Sequence, residues 1–127
     1  GETFPGNTGM SDILLLCCGE VRRKVETGEW EPQKDDMIRV QSVEFEQMIR
    51  KVKEVYGHGF IKGYREMPEG EFVREVVREM ERWTLIRKDV REQTVTICPS
   101  AGKLTGCYPE VFMSGKKSTE NKGETGQ

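Results

Sequence analysis

The stretch PEGEFVREVVREMERWTLIRKDVREQTVTICP, from Pro68 to Pro99, decides the fold because it reads as one amphipathic helix running into a two-stranded hairpin. Phe72, Val73, Val76, Val77, Met80 and Trp83 recur at intervals of one, three and four residues, which puts all six on one face of a helix of period 3.6. That face is predicted to be core, with Trp83 buried in it. The opposite face carries Glu71, Arg74, Glu75, Arg78, Glu79, Glu81 and Arg82. Leu85 and Ile86 open a strand, Arg87 to Gln93 form a charged turn region, and Thr94-Val95-Thr96-Ile97 alternates polar and apolar as a half-buried return strand does.

Working outward toward the N-terminus, a second amphipathic helix begins near Ser42. Ser42 suits the N-cap, Glu44 and Glu46 suit the positive end of the helix dipole, and Phe45, Met48, Ile49, Val52 and Tyr56 form the apolar stripe. Gly57-His58-Gly59 ends it, and a connector holding Phe60, Ile61 and Tyr64 leads to Pro68 in the first turn of the next helix. Before Ser42, Met37-Ile38-Arg39-Val40 reads as a short strand. The first helix is predicted from Ser11, as N-cap, to Glu26, with Gly28 stopping it. Its middle is apolar nearly all round through Leu14, Leu15, Leu16, Cys17, Cys18, Val21 and Val25, so it belongs at the centre of a core. Thr27 to Asp36 is a polar connector in which Trp30 reads as a lid over that core.

With 127 residues, 35% hydrophobic and 33% charged, the chain holds one small core. The expected layout is an N-terminal loop over residues 1–10, a domain over 11–112 and a disordered tail over 113–127, since Ser114 to Gln127 contains no apolar residue. The chain opens without Met on a loop-like run, Gly1 to Asn7, and reads as the C-terminal portion of something larger. The longest apolar run, Ile13 to Cys18, falls far below the ~20 residues of a membrane span. No basic residue precedes it in Gly1 to Gly9, as a signal peptide would require. A soluble cytoplasmic protein with no membrane partner is expected.

Helix, strand, helix, helix and hairpin in that order is an α+β winged-helix pattern, three helices closed by a β-hairpin wing. It points to a binding or assembly module rather than an enzyme. The only histidine, His58, has no Ser, Cys or Asp that stands out as its partner, so no catalytic residue is assigned. Cys17 and Cys18 point about 100° apart on a helix, and Cys98 with Cys107 lacks the short spacing of a zinc knuckle. All four read as reduced thiols, and no metal is assigned. Gly102-Lys103 and Gly115-Lys116 hint at a phosphate loop, but Ile97 and Leu104 stand where that loop needs Gly and Ser or Thr. No cofactor is expected.

Net charge is -2, so contact with nucleic acid would have to come from a local patch. The helix that would enter a DNA groove is acid-rich, and its Glu71/Arg74, Glu75/Arg78 and Glu79/Arg82 spacings let it neutralise itself. The candidate phosphate contacts are therefore Arg87, Lys88 and Arg91 of the hairpin and the run Arg22-Arg23-Lys24.

Several segments together carry a family resemblance: Gly1 to Gly9 before an aliphatic helix, His58-Gly59-Phe60 to Tyr64-Arg65, the Pro68-initiated helix, Met80 to Arg87 and Ile97-Cys98-Pro99-Ser100-Ala101. The chain resembles the C-terminal part of the small-subunit family of Wadjet-type bacterial operons, which encode an SMC-like ATPase. Those subunits are similar to KITE proteins, tandem winged-helix subunits that dimerise and bind the kleisin of complexes such as MukBEF and MksBEF. The resemblance implies kleisin and SMC-like ATPase partners, a homodimer, and a role in plasmid defence or chromosome maintenance, while the net charge of -2 and the acid-rich helix lead us to expect at most weak non-specific DNA contact. The family's N-terminal portion is absent, so one winged-helix unit at most is represented. A DNA-binding transcription regulator of the same fold is the alternative.

Overall fold

The computed structural model describes residues 8–99. The expected tail over 113–127, the end of the expected domain over 100–112, and Cys107 lie outside the described residues. The elements run α1 (Met10–Glu26), β1 (Ile38–Gln41), α2 (Ser42–Tyr56), α3 (Lys62–Arg65), α4 (Glu69–Arg82), β2 (Ile86–Asp89) and β3 (Thr94–Ile97), with a 3-10 turn over Gly57–Gly59. This is an α+β arrangement with four helices where three were expected, α3 being one turn inside the predicted connector.

The strands form one antiparallel sheet in the order β1-β3-β2. The hairpin strand β3 is therefore central, and β1, distant in sequence, closes its other side. Ile38 and Ile86 both pair with Ile97, and Val40 pairs with Val95, so one row of apolar side chains lies on the inner face. All five are buried. The outer face carries Arg39, Thr96 and Arg87 across one row and Gln41, Thr94 and Asp89 across another.

The core is where α1, α2 and α4 meet over the inner face of the sheet. Ile13 and Cys17 from α1, Phe45 and Ile49 from α2, and Phe72, Val76 and Met80 from α4 are all completely buried. Phe60, from the connector, stacks on Phe72 with ring centroids 5.6 Å apart. Each such ring pair contributes about 0.5–1.5 kcal/mol beyond its area burial. Trp30 is buried as the predicted lid, with the Lys24 ammonium 5.3 Å from its ring.

Helix starts differ from expectation by one or two residues. Gly9, not Ser11, caps α1, and Ile13 donates its N–H to the Gly9 carbonyl. Ser42 is the first residue of α2 rather than its cap, and its N–H donates to Gln93 in the hairpin, tying α2 to the sheet. Thr8, in the predicted loop, is bonded on both sides to the connector: its N–H donates to Gly59 and its carbonyl accepts from Ile61. Gly28 takes φ +82° just past α1, a conformation that glycine adopts without a Cβ clash. Pro68 precedes α4 as its N-cap, and Phe72 donates to its carbonyl.

Trp83 overturns one expectation. It is 62% exposed, although it continues the apolar spacing of α4. The helix stops at Arg82, and Thr84 adopts φ +57°. That left-handed residue reverses the chain so that Leu85, which is buried, points inward in place of the indole.

Candidate functional site

The six candidate cations fall into two groups that the structure treats differently. In the α1 group each cation has a carboxylate neighbour. Arg22 pairs with Glu26 at 3.2 Å, Arg23 with Glu20 at 2.7 Å, and Lys24 with Glu29 at 3.0 Å. The first two follow from helical spacings of four and three residues, and the third from the chain folding back after Gly28. The Glu20 carboxylate raises the already high pKa of Arg23 by hydrogen bonding and charge. Exposed pairs of this kind contribute only about 0–1 kcal/mol, yet a phosphate must still compete with the resident carboxylate.

The hairpin group has no carboxylate within ion-pair distance of Arg87, Lys88 or Arg91 among the described residues. Asp89, which follows Lys88 in sequence, accepts from the Glu92 N–H at 3.0 Å and shapes the turn. The three cations do not form the single turn cluster that was expected, since Arg87 and Lys88 lie within β2. Alternation along the strand sends them to opposite faces. Arg87 lies on the outer face across from Thr96, with its guanidinium 3.5 Å from the sulfur of Met37. Lys88 lies on the inner side, where the apolar row ends, and lines a groove of about 220 Å³ with Val73, Val77, Arg74, Arg78 and Glu81 of α4 and Glu46 of α2. Arg91 stands in the turn beyond.

That groove brings together residues that sequence reading kept apart. Arg74 and Arg78, one helical turn apart, meet Lys88 from a strand, and Glu46 and Glu81 face the same space. A phosphate chain entering it would meet two carboxylates as well as three cations. The sequence signal was available in the four-residue spacing of Arg74 and Arg78, but not the placement of Lys88, which depends on strand register.

The outward surface of α4 is self-paired in part. Glu75 holds Arg78 at 3.2 Å and Glu79 holds Arg82 at 3.5 Å, whereas the expected Glu71–Arg74 pair is not formed. Glu69 instead reaches Arg50 of α2 at 3.4 Å. The helix carries five carboxylates (Glu69, Glu71, Glu75, Glu79, Glu81) against three guanidiniums (Arg74, Arg78, Arg82). At its end the Trp83 indole is the largest exposed apolar side chain of the described residues.

His58 is exposed in the 3-10 turn. Cys17 and Cys18 are buried free thiols and Cys98 is a half-buried one. Burial pushes the Cys17 thiol well above its usual range, with Cys18 and Glu20 adding to the effect, and burial pushes Cys18 up to about 12. Such thiols carry little thiolate at neutral pH, which is unfavourable for nucleophilic chemistry. Among the described residues no three His, Cys, Asp or Glu side chains gather as metal ligands would, and no helix is long and apolar enough to cross a membrane.

Comparison with known proteins gives one match. The model of the family described as Protein of unknown function (DUF2398) matches residues 1–107. No curated protein and no solved structure matches the chain.

Proposed function

The chain belongs to the DUF2398 family, and on that premise we propose that it is a non-catalytic, winged-helix assembly subunit that works by binding other proteins in the cytoplasm. The element order fits a winged helix: three main helices, with β1 between the first two and the β2–β3 hairpin last. The sheet order β1-β3-β2 fits it as well. In finer terms, the sequence resemblance supports the reading of a kleisin-binding small subunit of an SMC-type complex, assembling as a homodimer with kleisin and SMC-like ATPase partners in plasmid defence or chromosome maintenance.

The exposed indole of Trp83 is the observation that carries this reading. An aromatic side chain 62% exposed at the end of an acid-rich helix suits a protein interface, where tryptophan is enriched among the residues that dominate binding. It suits phosphate contact poorly. The test is to co-express the chain with a kleisin and a coiled-coil ATPase of a Wadjet-type operon and measure co-elution. Stable co-elution that weakens at least tenfold in Trp83→Ala, with the fold intact, is the expected result. Absence of any complex together with submicromolar duplex binding overturns it.

A second reading, a winged-helix DNA-binding transcription regulator, is favoured by the hairpin alone. Among the described residues, Arg87, Lys88 and Arg91 have no carboxylate within ion-pair distance, unlike Arg22, Arg23 and Lys24. Their low number and the separation of Arg87 from Lys88 across the sheet make this a weak, non-specific contact under the assembly reading.

A further inference from the structure

We draw no further inference here: the strongest candidate, the apolar cleft of about 290 Å³ between α1 and the sheet, lined by Val21, Val25, Pro32, Ile38, Ile97 and Cys98, opens where the described residues end, and nothing in the structure shows what covers it.

Discussion

Leu85 donates its backbone N–H to the carbonyl of Met80 at 2.9 Å, and both side chains are buried. Thr84 donates its own N–H to Glu81, and the two bonds together close α4 as a Schellman motif with Thr84 in the left-handed position. This turn launches β2, buries Leu85 and leaves Trp83 outside. The strand, the core and the candidate interface thus depend on one backbone reversal.

A β-branched residue is poorly suited to that position, because its Cβ crowds the following carbonyl. Thr84→Gly should therefore change stability by less than about 1 kcal/mol, because the relieved strain is offset by the extra chain entropy of glycine and by the loss of the Thr84 side-chain interactions, among them its hydroxyl bond to the Trp83 carbonyl. Urea unfolding measures it, and a clear destabilisation would show that the Thr84 side chain outweighs its backbone cost.

Trp83→Ala should lower stability by less than about 1 kcal/mol, since a largely exposed side chain leaves no cavity. Phe72→Ala, by contrast, removes a completely buried ring that stacks on Phe60. Its cost should be about 3–5 kcal/mol. Equal losses in the two variants would place the indole in the core and contradict the exposed geometry.

The buried thiols predict a loss of stability on the alkaline side. In the unfolded chain a cysteine ionises near its ordinary value of about 8.5. The folded state holds Cys18 protonated to about 12 and Cys17 well above the usual range. Above pH of about 8.5 the folded state binds more protons than the unfolded, so stability falls as pH rises, by up to about 1.4 kcal/mol per pH unit for each thiol. Cys18→Ala should flatten this slope. An unchanged slope between about pH 9 and 11 would mean that the thiol is not shielded.

Charge reversal separates the two cationic groups. If the domain touches duplex DNA, Arg87→Glu, Lys88→Glu and Arg91→Glu together should abolish the contact and reduce its salt dependence by about 0.9 log units per lost phosphate contact. Reversal of Arg22, Arg23 and Lys24 should do less, because those cations already face Glu26, Glu20 and Glu29. Duplex titration at several salt concentrations reads this, and for the wild-type chain at about 150 mM salt a dissociation constant weaker than about 1 μM is expected. Tighter binding would promote the regulator reading.

Local periodicity and end signals determine much of this protein by sequence alone. The 72/73/76/77/80 face of α4, the Phe45/Met48/Ile49/Val52 stripe of α2 and the alternation of Thr94 to Ile97 each follow from neighbours within a few residues, and each is observed. The same is true of the helix stop at Gly28 and the burial of Trp30. Tertiary structure decided what depends on distant partners. The pairing of Ile38 with Ile97 makes β3 central, and the resulting register sends Lys88 toward α4 and Arg87 away from it. Lys53 donates to the carbonyls of Tyr64 and Arg65, eleven and twelve residues on, and so caps a short helix that propensity does not announce. Trp83 is the sharpest case: its spacing matches a buried face, but burial requires that the helix and its neighbours continue past it, and here the chain reverses at Thr84. Period sets the direction in which a side chain points, whereas only the packed fold determines whether anything lies there to bury it.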